Sequence, residues 1–239
     1  MIHFIVRVRY QDLFERLLKS IMKTCVTGYN ITTEDDDGQP KLAESYNRLA
    51  GDSKHDVLVF VHDDIEFLEK GWDAKIIEAL QQYDVAGVVG ALDYKGGRIF
   101  DGPKNNWVGK FSSTVDDVKA VKLFSSVSFP IGASVVDGMF MAVRGDHFKK
   151  VKFDEAFDGL FFYDLDYCLR SKVCVADVLL FHGKPEKYWG KYPADMKPIE
   201  AYWDKFHEKH GLDNNIKAGD QSCFATPLSN YMEQMQVAI

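Results

Sequence analysis

The run Val57-Leu58-Val59-Phe60-Val61, followed at once by His62-Asp63-Asp64, constrains the chain more than any other stretch. An unbroken, β-branched-rich apolar run reads as a strand covered on both faces, the habit of a parallel sheet between helices. Acids at the end of such a strand need a reason. In open α/β sheets ligands bind outside the carboxyl ends of the strands, so these side chains stand where a metal-assisted site would be built.

The surrounding pattern alternates strand and helix. Met1 to Arg9 reads as a first strand, and Leu13, Leu17, Leu18 and Ile21 recur at helical spacing over Gln11 to Lys23. Cys25 to Tyr29 predicts a short second strand, Glu34 to Pro40 a loop, and Leu42 to Leu49 a second helix ending near Gly51. After the buried strand comes a helix on which Trp72, Ile76, Ile77 and Leu80 share a face, then a strand over Val85 to Val89. This βαβ order implies a largely parallel sheet. From Asp93 to Pro130 the Gly, Asn, Ser and Lys content, with weak periodicity, predicts loops and short edge strands. Strands at Met139 to Val143 and Val173 to Phe181 bracket a helix over Asp164 to Ser171, and Ile199, Tyr202, Trp203 and Phe206 mark a last helix stopped at Gly211. The expected fold class is α/β: one Rossmann-like domain over residues 1–211, its central sheet mostly parallel and flanked by helices, with a polar tail over 212–239 packed on it or extending from it.

The length of 239 residues suits one domain, and no linker-like stretch divides it. No apolar run approaches the roughly 20 residues a membrane-spanning helix needs, so no integral membrane segment is expected. The amino terminus lacks the features of a secretory signal, which predicts cytoplasmic residence. Cys25, Cys168, Cys174 and Cys223 are scattered without a C-x-x-C pair, arguing for reduced thiols. The net charge of -7 disfavours nucleic acid as a partner. An acidic protein that binds a nucleotide diphosphate must neutralise it, and a divalent cation held by carboxylates does so.

Mg²⁺ and Mn²⁺ prefer carboxylate oxygens, and Mn²⁺ accepts imidazole, so His62, Asp63 and Asp64 are suitable ligand types, as they would also be for an acidic surface turn. Further on, Asp164 and Asp166 fall in the first turn of the helix expected there, on opposite sides of the core face formed by Leu165, Cys168 and Leu169. Only one of them can readily enter a given pocket as a base, and acids in a first turn also serve as caps. His182 ends another apolar strand and could share an edge with His62 and Asp64. Lys184, Lys187 and Lys191 follow it, either near phosphate oxygens or as solvated loop residues.

Taken in order, several segments resemble the metal-dependent glycosyltransferases of the A-type fold, close to the family-2-like branch. They are Ser45-Tyr46-Asn47, Val59 to Phe67 with Gly71-Trp72, Val88-Val89-Gly90, Val136 to Met141, Phe153-Asp154-Glu155, Tyr163 to Asp166, and Phe181-His182-Gly183. The resemblance covers most of residues 1–190. It implies that Asp64 binds the metal bridging a nucleotide diphosphate, with Asp63 in the acidic D-x-D motif, whose first acid is here His62. It implies a catalytic base at Asp164, with Tyr163 replacing the glutamate of the family's Glu-Asp signature and Asp166 as the second candidate. His182 would serve the metal or diphosphate, Arg7 and Asn47 would lie near the nucleotide, and Asp137 near the donor sugar or acceptor.

The reaction so implied is inverting transfer of a sugar from a nucleotide diphosphate donor to a carbohydrate or glycan hydroxyl, with Mn²⁺ or Mg²⁺ as cofactor. Its chemistry suits the residue types: leaving-group charge needs a Lewis acid, and the acceptor proton needs a carboxylate on the other face. A sugar-phosphate nucleotidyltransferase is the rival enzyme, but Arg7 to Gln11 contains no glycine for a triphosphate loop. A non-catalytic carbohydrate-binding module would present Trp72, Trp107, Trp189 or Trp203 as aromatic platforms. Trp72 and Trp203 sit on apolar helix stripes, leaving Trp107, amid Asn105, Asn106 and Gly109, as the acceptor-site candidate.

Overall fold

Strand β1 (Ile2–Val8) distributes its side chains between two apolar layers. Ile2, Phe4, Val6 and Val8 pack with Leu17 and Ile21 of helix α1 (Gln11–Thr24), while Ile5 packs with Tyr46 of α2 (Leu42–Ala50). With both faces covered, the strand is apolar almost throughout. The computed structural model describes residues 1–36, 38, 41–97, 106–115, 118–124, 128–159, 161–183, 200–212 and 224–227. Strands β2 (Tyr29–Asp35) and β3 (Val57–Val61) lie parallel on either side of β1. The strand order therefore reverses between β1 and β3, and their carboxyl ends, at Val8 and Val61, border the crevice where ligands of such sheets bind.

The main sheet continues through β11 (Phe140–Arg144), β5 (Val85–Gly87), β12 (Val173–Val175) and β9 (Ile131–Ala133), in the order β2-β1-β3-β11-β5-β12-β9. β12 is parallel to β5, whereas β11 runs antiparallel to both β3 and β5 and leads into the short helix α4 (Gly145–Phe148). A second sheet contains β4 (Ile65–Phe67), β6 (Val89–Ala91), β7 (Trp107–Val115), β10 (Val135–Val136) and β13 (Leu180–His182), in the order β10-β6-β7-β13-β4. The chain passes from the first sheet to the second at His62 to Asp64, at Val88, at Ser134, and over Ala176 to Leu179. The stretches expected as single strands at 85–89 and 173–181 are thus each divided between the sheets. Gly87 permits the close approach of β10: a Cβ there would lie 2.4 Å from the Cβ of Val136.

Other elements differ from the sequence expectation for identifiable reasons. The second strand occupies 29–35, not 25–29, because Val26 and Thr27 are held in a loop by Asp73 of α3 (Trp72–Ala79), which accepts hydrogen bonds from both amides. As an edge strand, β2 tolerates outward-facing Asn30, Thr33 and Asp35, so it runs into the acidic stretch read as loop. The middle of the chain forms a long hairpin, β7 with β8 (Val118–Leu123). Its lysines break the apolar alternation, but Lys110 pairs with Asp177, Lys119 lies over the Phe181 ring and Lys122 over the Phe111 ring. Helix α5 (Tyr163–Leu169) and helix α6 (Glu200–His210) lie where the periodicity placed them, and α6 stops at Gly211 with φ +62°. Ile199 lies outside the described residues. Within the tail, β14 (Phe224–Pro227) pairs antiparallel with β8. Among the described residues no helix is long and apolar enough to cross a membrane.

Candidate active site

The turn from β3 into β4 is fixed from two directions. The His62 amide donates to the carbonyl of Met139 (3.1 Å), and the Gly183 amide donates to the carbonyl of Asp64 (3.2 Å). His182, the last residue of β13, lies opposite Ile65 of β4. Together these bonds bring His62, Asp64 and His182 to one point, with a ligand atom of each within 4.8 Å of the others. His182 Nε2 stands 3.4 Å from Asp64 Oδ1, and the two imidazole centroids are 5.8 Å apart. Two imidazoles and one carboxylate, all half-buried, form a donor set that suits a divalent cation such as Mn²⁺ and leaves coordination positions open. His62 Nε2 also lies 3.3 Å from the Tyr163 hydroxyl at the start of α5, which orients its ring.

Asp63 is not part of this triad. Its buried side chain turns toward the β1–α1 connection, where Oδ2 accepts hydrogen bonds from the amides of Arg9 and Tyr10, both at 2.8 Å. It thereby ties together the two sides of the crevice between β1 and β3. Burial pushes its carboxyl up to about 6, against the opposing effect of the two amides. Arg7 leans from the end of β1 to Asp36, with Nη2 and Oδ1 2.9 Å apart. Its charge also reaches the buried Tyr46 hydroxyl, as do those of Asp63 and Asp164, so these groups border a common region.

Asp164 is held at the start of α5. Oδ2 accepts from the Gly138 amide (2.8 Å) and Oδ1 from the Leu165 amide (2.9 Å). Burial, and then the neighbouring Asp137 carboxylate, push its carboxyl up to about 7, the range in which a group can both take and release a proton near neutrality. Asp137 itself caps its own turn, accepting from the Met139 amide at 2.9 Å. Gly138 was not anticipated. Its role follows from space: a Cβ there would lie 2.2 Å from the Tyr163 hydroxyl and 2.9 Å from Asp164 Oδ2. The glycine directly after Asp137 was the available signal.

Three residues singled out from the sequence are occupied within the fold. Asp166 is fully buried and engaged by two cations and an imidazole: Arg170 Nη2 at 2.6 Å, Lys209 Nζ at 2.5 Å and His210 Nε2 at 2.9 Å. It fastens α6 to α5 and is not available as a base. Asn47 is engaged within the protein: its amide donates to the Phe153 carbonyl and Glu155 and accepts from the Phe153 amide, clamping that segment to α2. Trp107 is only 2% exposed and packs on Phe124, so it offers no platform to an acceptor. Trp72 is core, stacked on Phe67, as its helical spacing implied. Lys184, Lys187, Lys191 and Trp189 lie outside the described residues, as does Cys223; Cys25, Cys168 and Cys174 form no disulfide.

No curated protein sequence matches the chain at significance. Among solved structures it is similar to GalNAc-T7, crystallised with UDP, GalNAc and Mn²⁺, with a TM-score of 0.52 at 9% identity over 89% of this chain; it spans only 55% of that protein. It is also similar to the mannosyltransferase PcManGT from Pyrobaculum calidifontis, in complex with GDP-Man and Mn²⁺, with a TM-score of 0.51 at 11% identity over 89% of this chain and 70% of that one. At such identities the likeness establishes a shared fold, that of the A-type glycosyltransferases. Residues 3–210 match the sequence pattern of the family described as glycosyltransferase-like, and a match over that span means that the chain belongs to this glycosyltransferase family.

Proposed function

We propose that the chain is an inverting, divalent-metal-dependent transferase that moves a sugar from a nucleotide diphosphate donor to a carbohydrate or glycan hydroxyl. The observation that carries this reading is the convergence of His62, Asp64 and His182 within 4.8 Å at the end of β3, where His62 meets the first residue of the helix that bears Asp164. The Mn²⁺ and nucleotide ligands of GalNAc-T7 and PcManGT support it. His62, Asp64 and His182 would hold Mn²⁺ or Mg²⁺, which supplies Lewis-acid stabilisation of charge on the departing diphosphate.

The chain's own residues do the rest. Asp164, positioned by the amides of Gly138 and Leu165, takes the acceptor hydroxyl's proton as that oxygen bonds to the anomeric carbon. The bond from that carbon to the diphosphate oxygen breaks on the opposite side, which inverts the configuration. Asp63 keeps the Arg9–Tyr10 backbone in place beside the donor crevice. Unbridged Cys25, Cys168 and Cys174 fit a reducing compartment, and we place the activity in cytoplasmic glycan synthesis. The test is a panel of UDP- and GDP-sugars offered with Mn²⁺ and simple glycosides, with product configuration read by NMR. Metal-dependent transfer with inversion supports the reading, and retention of configuration overturns it.

A further inference from the structure

Resting on the donor site just proposed, we infer that the Ser113 hydroxyl is a further donor contact, hydrogen-bonding an oxygen of the diphosphate held at the His62–Asp64–His182 triad. Strands β13 and β7 run parallel with Phe181 opposite Ser112. One step along both strands sets Ser113 beside His182, at the inter-strand spacing of about 4.8 Å. Side chains alternate across a strand, so Ser113 shares a face with Phe111, whose ring centroid is 6.3 Å from that of His182. This is the face that His182 presents to Asp64. On its other flank Ser113 lies opposite Ala120 of β8, which has no polar atom in its side chain.

Ser113 is only 9% exposed, and its hydroxyl has no hydrogen-bond partner among the described residues. A buried hydroxyl without a partner costs stability, and its persistence beside a cation site has a chemical explanation if a ligand oxygen completes it. The row across the second sheet, Ile65–His182–Ser113, then combines one cation ligand with one neutral hydrogen-bond donor, the pair of groups a bridging diphosphate can use at once. Ser112 provides an internal control. It is fully buried and equally unpartnered, but alternation directs it to the opposite face, beside Phe181 and away from the triad.

The test is calorimetric titration of Mn²⁺ alone, and of UDP and GDP in excess Mn²⁺, into the wild type, Ser113→Ala, Ser113→Thr and Ser112→Ala, with melting temperatures of the free proteins. The inference predicts that Ser113→Ala weakens nucleotide binding about tenfold or more while Mn²⁺ affinity and the free protein's melting temperature are not lowered. Ser113→Thr retains binding, and Ser112→Ala binds as the wild type. Unchanged nucleotide affinity in Ser113→Ala overturns the inference, as does an equal loss in Ser112→Ala. Loss of Mn²⁺ binding in Ser113→Ala overturns it too, since the hydroxyl would then serve the cation. If the wild type itself shows no Mn²⁺-dependent nucleotide binding, the donor-site reading fails and the inference falls with it.

Discussion

Asp164 and Asp166 are two residues apart on one helix, yet their surroundings assign them opposite work. Asp166 is a buried carboxylate bonded by Arg170, Lys209 and His210, so Asp166→Ala removes the bonds that fasten α6 to α5, while Lys209 keeps its pair with Asp154. The substitution should destabilise the protein by about 1–3 kcal/mol, read by denaturant unfolding. Asp164 carries a carboxyl raised from an ordinary 3.8 to about 7 by burial and by Asp137. Between those values the native state holds a proton that the unfolded chain has released, so stability falls as pH rises through the window and is level above it. Asp164→Asn removes that pH dependence, so its melting temperature relative to the wild type should rise from pH 4 to pH 8, whatever its amide nitrogen costs against the Gly138 or Leu165 N–H. The same substitution should lower transfer by about 10²–10⁴-fold with nucleotide binding retained, and wild-type kcat/KM should climb with pH through about 7. The triad was legible in the sequence because His62, Asp64 and His182 end apolar strands, and strand ends are where such sheets gather ligands. The contrast between Asp164 and Asp166 was not, because helical spacing separates them without saying which side meets α6. The clamp made by Asn47 is illegible for a related reason: which backbone segment a polar residue on a helix meets depends on what packs against it, here Phe153.

Helix α5 starts under strain. Phe162, its N-cap, has φ +69°, a conformation that costs a bulky residue about 1–3 kcal/mol. Burial of its ring contributes about 1.5–3 kcal/mol and stacking on Phe206 at 4.5 Å a further 0.5–1.5 kcal/mol, enough to hold it there. Because α6 thereby fixes the start of the helix that aims Asp164, Phe206→Ala should lower kcat more than it raises KM for the donor, measured by steady-state kinetics. Gly138→Ala should lower activity at least as far, since its new methyl would meet Tyr163 and Asp164. At this scale the sequence spoke clearly for amphipathic elements such as α1 and for β3. It was silent on the β7–β8 hairpin, whose lysines are satisfied only by partners on other strands, Asp177, Phe181 and Phe111.

The whole molecule works as two sheets joined where the chain crosses between them, and the site occupies one of those crossings. His62 leaves the first sheet, His182 ends a strand of the second, and Asp64 sits between, so neither sheet alone holds the triad. Apolar runs announce strands but do not say that a run such as 173–181 will be shared by two sheets, and the juncture was therefore visible only in three dimensions. The central claim is that this juncture grips a divalent cation. The direct measurement is electron paramagnetic resonance of free Mn²⁺ titrated with the protein in the presence of UDP or GDP. Stoichiometric loss of the free-ion signal with the wild type, and its retention with Asp64→Ala and His182→Ala, is the predicted result; uptake of Mn²⁺ by Asp64→Ala equal to that of the wild type would contradict it.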